Sequence, residues 1–164
     1  MTRILIGIIG PGEPATATET ATASALGAAI AQQGWGIVTG GRAAGVMAAA
    51  SQGAQAAQGW VVGILPDATT EQMSAAVDIP IITGMGNGRN VIVVLSSRVV
   101  IACGLGAGTL SEIALALKLN RPLILMLGAT ELQATLQALT AETVLTADTV
   151  ETAIAQVRSH LAAG

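Results

Sequence analysis

Short runs of β-branched and aliphatic residues recur along this chain, separated by longer Ala- and Leu-rich stretches, and that alternation constrains the fold more than any other feature. The runs are Ile4 to Ile9, Gly36 to Thr39, Trp60 to Leu65, Arg98 to Cys103, Pro122 to Leu127, and a weak one at Thr143 to Leu145. They are continuously apolar, as parallel strands are when helices cover both faces of their sheet. Helices are predicted between them at roughly Glu19 to Gln33, Ala44 to Gln58, Thr109 to Leu119, Glu131 to Ala141 and Thr149 to Ala162. The expected architecture is α/β, a Rossmann-like doubly wound parallel sheet of six to seven strands with helices on both faces. One domain over residues 1–164 is expected.

The segment Asn90 to Ser97 reads as a strand by propensity, through Val91-Ile92-Val93-Val94-Leu95. A strand there would leave almost no connection to the clearer one at Val99 to Ala102, whereas a parallel neighbour needs a crossover of about ten or more residues. A helix is therefore favoured, preceded by a short strand at Ile79 to Ile82.

Composition removes several classes of function. Lys plus Arg total 7 against 10 acids, and the aromatics are Trp35 and Trp60 alone, so nucleic-acid binding is disfavoured. Single residues Cys103 and His160 leave no material for a disulfide framework, a zinc cluster, a multi-histidine metal site or a Ser-His-Asp triad. No metal-ligating set is expected. No apolar run approaches the roughly 18 to 20 residues of a membrane span, and Ile4 to Ile9 meets Gly10-Pro11-Gly12 without a signal-peptide pattern, so the expected location is the cytoplasm. Charged residues make up only 10% of the chain, against about 25% in ordinary soluble domains, which points to surface buried in a homo-oligomer.

In open parallel sheets, ligands sit outside the carboxyl ends of the strands. Four glycine-rich loops fall there: Gly10-Pro11-Gly12, Gly40-Gly41-Arg42-Ala43-Ala44-Gly45, Gly84-Met85-Gly86-Asn87-Gly88-Arg89, and Gly104-Leu105-Gly106-Ala107-Gly108-Thr109. They hold 11 of the 20 glycines. Glycine admits an anion close to backbone N–H groups, and the following helix N-terminus adds the positive end of its dipole, so a phosphate site is inferred. Arg3, Arg98, Lys118 and Arg121 map to the opposite rim and Arg158 to the last helix, which leaves Arg42 and Arg89 as the cations on the glycine-rich one. No nicotinamide cofactor is expected, because Gly7-Ile8-Ile9-Gly10-Pro11-Gly12 is not GxGxxG and the second strand ends at Thr39 rather than an acid. The Walker A pattern is also absent.

Glu112 admits two readings. It is a carboxylate beside a phosphate loop, suited to act on a hydroxyl or a water; it is equally the last member of a capping box, Thr109-Leu110-Ser111-Glu112. The same spacing recurs at Thr16 to Glu19 and Asp148 to Glu151. Cys103 reads as a buried residue at a strand end and His160 as a helix surface residue. Asp67 and Glu13 also reach the ligand rim.

Taken together, Ile8-Ile9-Gly10-Pro11-Gly12, Thr39-Gly40-Gly41-Arg42 with Gly45-Val46-Met47, Gly88-Arg89-Asn90 and Gly106-Ala107-Gly108-Thr109-Leu110-Ser111-Glu112 resemble the superfamily of molybdenum cofactor carrier proteins and LONELY GUY phosphoribohydrolases. In the phosphoribohydrolase branch, the residues matching Arg89 and Glu112 release the base from a nucleoside 5′-monophosphate. That branch's Arg-Lys is Arg89-Asn90 here, and its PGGxGTxxE loses the proline and the paired glycines. The compact length, Gly84 to Asn90 and Gly40-Gly41-Arg42 lie closer to the carrier branch. This resemblance implies binding, storage and transfer of molybdenum cofactor, a phosphorylated molybdopterin, without a chemical step, with a molybdoenzyme as recipient. It also implies a homotetramer, with oligomer contacts from Asn90 to Ser97 and Thr109 to Leu119. The ligand-holding set expected is Gly10, Gly12, Gly40, Gly41, Arg42, Gly86, Arg89, Asn90, Gly104, Gly106, Gly108, Thr109 and Glu112. Arg89 and Glu112 would be catalytic in the enzyme alternative. A nucleotide-sensing or purely structural role is the third possibility.

Overall fold

The computed structural model describes residues 3–163. The first half runs β1 (Leu5–Ile9), α1 (Ala17–Gln32), β2 (Gly36–Thr39), α2 (Gly45–Ala56), β3 (Val61–Leu65) and β4 (Ile79–Ile82). The second half runs α3 (Asn90–Ser96), β5 (Val99–Cys103), α4 (Ala107–Lys118), β6 (Leu123–Met126), α5 (Gln133–Gln137), β7 (Leu145–Thr146) and α6 (Val150–Ala163). The strands form one seven-stranded sheet in the order β4-β3-β2-β1-β5-β6-β7, and every pairing is parallel. The chain builds outward from β1 to β4 and then returns to lay β5 against the other side of β1, so a topological switch point lies between β1 and β5.

Alternation along the strands feeds two core layers. Ile6, Ile8, Val99, Ile101 and Cys103 face α1, α2 and α6, while Ile9, Val100 and Ala102 face α3, α4 and α5. Aliphatic side chains fill both layers, and small residues fill the seam between α1 and α2. A methyl group on Gly27 would overlap the Ala50 carbonyl, and one on Gly53 would overlap the Ser24 carbonyl. The Ala- and Gly-rich composition of this pair thus serves backbone-to-backbone approach.

Asn90 to Ser97 is the expected helix, entered through a 3-10 turn at Gly86–Arg89. Val93 and Val94 are buried against the sheet, and Ser97 closes the helix by donating its hydroxyl to the Val93 carbonyl at 2.7 Å. The helix expected over Glu131 to Ala141 is instead a 3-10 segment, Leu127–Leu132, followed by the five-residue α5. There Gln137 gives its amide to the Glu142 carbonyl and accepts from the Val144 N–H, 2.9 Å each, side-chain bonds that hold a turn in place of a further helical one. The weak last strand is shifted to Leu145–Thr146.

The capping box at Thr16 and Glu19 is formed, and it starts α1 two residues before the predicted Glu19. The other two are not. Thr149 caps α6 by accepting from the Thr152 N–H at 3.1 Å, one residue after the predicted Asp148. Gly106 is the N-cap of α4, so Glu112 lies in the second turn, too far along to reach the cap. Among the described residues, no helix is long and apolar enough to cross a membrane.

Candidate functional site

At the switch point a small polar pocket of about 180 Å³ opens above the carboxyl ends of the strands. Its walls come from four loops: Gly10 and Gly12 after β1, Gly40 and Arg42 after β2, Asn87, Arg89 and Asn90 after β4, and Gly108, Thr109 and Glu112 on α4. Met47, from the first turn of α2, and the ends of Ile8 and Ile9 complete it.

Arg89 is held before any ligand arrives. Its guanidinium Nη1 lies 3.6 Å from Glu112 Oε1, and its Nη2 lies 4.0 Å from Met47 Sδ. Gly40 makes this placement sterically possible, since a Cβ there would stand 2.5 Å from both Nη atoms and 2.6 Å from the Met47 sulfur. Both members of the ion pair are more than nine-tenths buried. Burial pushes the Glu112 carboxyl up to about 7, against the opposing pull of Arg89. Burial also lowers the pKa of Arg89, Glu112 pulls the other way, and the nearby Arg42 adds a smaller lowering.

Three polar atoms in this pocket are buried without a partner: Arg89 Nε, Arg42 Nε and Thr109 Oγ1. Buried polar groups are ordinarily hydrogen-bonded, so three such atoms on the residues around one pocket leave its walls with unmet hydrogen-bonding capacity. Thr109 sits in the first turn of α4, where Leu110 is the residue whose N–H bonds back to Gly106, at 2.8 Å. The N–H groups of Ala107, Gly108 and Thr109 therefore have no helical partner, and with the helix dipole they form an anion-receptive end. The fourth wall is tied on by Asn90, which donates to Ser111 Oγ at 2.9 Å. Arg42 is braced from outside by its bond to Gln72 and by a backbone bridge to Met73.

Nine of the thirteen expected residues line this pocket: Gly10, Gly12, Gly40, Arg42, Arg89, Asn90, Gly108, Thr109 and Glu112. The other four lie outside the lining. Gly41, at φ +74°, packs toward Leu65 and Gly63; Gly104, at φ +90°, lies against Glu19. Gly86 opens the 3-10 turn, and Gly106 serves as the α4 N-cap. Gly41, Gly86 and Gly104 hold backbone at positive φ, which favours glycine, whereas Gly106 is extended at φ −153°. Met47 and Asn87 are the side chains the sequence reading missed. Met47 stood inside the Gly45-Val46-Met47 motif, but a methionine at a helix start is indistinguishable from core. Cys103 is buried, donates weakly to the Glu19 carbonyl at 3.4 Å, and is pushed up to about 12 by burial and by Glu19. Arg121 is on the opposite rim, donating to the Leu95 carbonyl at 3.0 Å.

The family model for SLOG cluster 4 matches residues 3–154. The chain belongs to the SLOG cluster 4 family. Within that setting it is similar to the molybdenum cofactor binding protein of the phototrophic bacterium Rippkaea orientalis, at 50% identity and TM-score 0.95, covering 98% of this chain and 99% of that one. It is also similar to the molybdenum cofactor carrier protein of Chlamydomonas reinhardtii, at 43% identity and TM-score 0.92, over 98% and 99% of the two chains. A protein of Archaeoglobus fulgidus is 45% identical over 113 residues, 69% of this chain and 73% of its own length. For this SLOG cluster 4 chain the Rossmann-like α/β fold and the LONELY GUY-like superfamily agree with the resemblance drawn from the glycine loops.

Proposed function

We propose that this chain binds molybdenum cofactor by its phosphate, stores it and passes it on without a chemical step. The observation that carries the reading is the end-to-end likeness, at 43–50% identity, to molybdenum cofactor binding and carrier proteins. The pocket supports it chemically. Arg42 and Arg89 supply positive charge, Thr109 supplies an unpartnered hydroxyl, and the α4 N-terminus supplies free N–H donors, a set suited to a phosphate monoester. The pocket accommodates the phosphate end of such a ligand and leaves the larger heterocycle toward the rim, from which it can be handed to a molybdoenzyme.

The carrier acts in the cytoplasm as a homo-oligomer, a dimer or a tetramer in this reading. Exposed Leu95 and Leu110, with the apolar groove that Val91, Ala114 and Leu115 line between α3 and α4, supply surface for a second copy. The test is direct: incubate the protein anaerobically with molybdenum cofactor, separate by gel filtration, and quantify molybdenum and oxidised pterin fluorescence in the protein peak. Stoichiometric co-elution that excess AMP leaves intact supports the carrier; its absence overturns it. Glu112 faces the pocket instead of capping α4, which favours a second reading, a nucleoside 5′-monophosphate phosphoribohydrolase using Glu112 and Arg89. Release of adenine from AMP, abolished by Glu112→Ala, would put that enzyme in the carrier's place.

A further inference from the structure

Glu112 occupies the space an entering anion must share. Its carboxylate has Arg89 as its ion-pair partner at 3.6 Å, and the two side chains face each other across the same pocket. Ionised, Glu112 cancels one of the two positive charges that an anion would seek. A second negative charge placed beside Arg89 would then sit against a buried carboxylate in a region of low dielectric, where like charges repel strongly. Protonated, the same group removes that repulsion, frees the Arg89 charge and offers an O–H donor.

We propose that binding of a phosphate-bearing ligand here draws a proton onto Glu112, so that the site loads tightly at mildly acidic pH and loosens as the pH rises. The proposal rests on the reading of this pocket as the phosphate site. The charged groups around Glu112 are consistent with it. Arg89, from the turn before α3, acts on Glu112 directly; Arg42, after β2, and Asp67, after β3, act on Arg89. On the β1 to α1 side, Glu19 is committed to the Thr16 cap, accepting from the Thr16 N–H at 2.7 Å, and Glu13 is exposed. With its carboxyl raised to about 7, Glu112 takes or releases a proton without large cost near neutral pH.

Sulfate is the appropriate probe, because it remains a dianion from pH 5 to 9 and contributes no titration of its own. Its affinity for the whole protein is measured by calorimetry at constant ionic strength, in buffers of differing ionisation enthalpy. The expected result is a Kd that rises toward tenfold per pH unit above pH 7, with proton uptake on binding, and a flat profile for Glu112→Gln. Sulfate binding with constant Kd and no proton uptake in the wild type overturns the coupling while leaving the anion site standing. No sulfate binding above that of chloride at any pH overturns the site and the coupling together. The wild-type proton count decides the matter even if Glu112→Gln folds poorly.

Discussion

The side-chain amide of Asn90 donates to Ser111 Oγ at 2.9 Å, and that hydroxyl in turn donates to the Gly108 carbonyl at 2.7 Å. The first residue of α3 and the opening turn of α4 are thereby held as one unit, with the pocket along its edge. Asn90→Ala is expected to cost about 1 kcal/mol and a few degrees of melting temperature, and to weaken ligand binding because the α4 end is no longer held. Circular dichroism melting with a parallel binding titration checks both. An unchanged melting temperature would remove the stitch from the account.

Gly40→Ala tests whether Arg89 must be pre-placed. The added methyl would occupy the position of the guanidinium, 2.5 Å from each Nη atom, and displace it from the pocket. Cofactor affinity should fall at least roughly tenfold, the equivalent of about 1.4 kcal/mol, as it should for Arg89→Ala. Wild-type affinity in Gly40→Ala would show that the arginine's position does not govern binding.

Stability should depend on pH through Glu112. Its folded pKa of about 7 stands above the ordinary 4.5, so between those values the native state holds a proton that the unfolded chain has released. The Glu112 contribution is therefore greatest below pH 4.5, declines as pH rises to 7 and is constant above, a total change on the order of 3 kcal/mol at most. Urea unfolding across pH 5 to 8 measures the slope, and Glu112→Gln should lack it.

The α1 and α2 seam is tested by contrasting Gly27 with Gly128, which lies outside it in the 3-10 segment after β6. Gly27→Ala gains about 1 kcal/mol of helix propensity but drives a methyl into the Ala50 carbonyl, and overpacking costs about 1–3 kcal/mol. Net destabilisation is expected. Gly128→Ala, with no atom within 4 Å of the new methyl, should be neutral. Equal melting temperatures for both variants would refute the seam.

Native Cys103 should resist thiol reagents. It is buried and its thiol is pushed up to about 12, so the reactive thiolate is scarce at neutral pH. Labelling with a chromogenic disulfide is expected to be slow in buffer and stoichiometric in denaturant; rapid native labelling would contradict the burial.

The fold was legible because its signal is repetitive. Each of the first five apolar runs falls on one strand, the weak last one overlaps its strand only at Leu145, and connection length alone decided the helix at Asn90. The pocket was legible as far as residue type and position agree: Arg89 and Glu112 stood out in a chain with 10% charged residues. Gly41 and Gly104 did not differ in sequence from Gly40, since the direction a missing side chain would take depends on φ and on neighbours distant in sequence. Glu112 as a cap failed for a related reason. The spacing from Thr109 was correct, but the N-cap of α4 is Gly106, and a shift of three residues carries Glu112 from the third helical position to the sixth, out of reach of the cap. Gln137 illustrates the reverse case, where side-chain bonds to a later segment overrode local helix propensity.

The crossover from β4 back to β5 also governs when the pocket can exist. A chain emerging from the ribosome as far as Arg89 already carries β1 through β4, yet the wall that faces that arginine is still unsynthesised. Only when α4 has docked do residues from Ile8 to Glu112 close around one space, a long-range contact that forms late. Bound cargo therefore cannot template the first half of the sheet, and its stabilisation reaches the protein only after synthesis has passed the switch point.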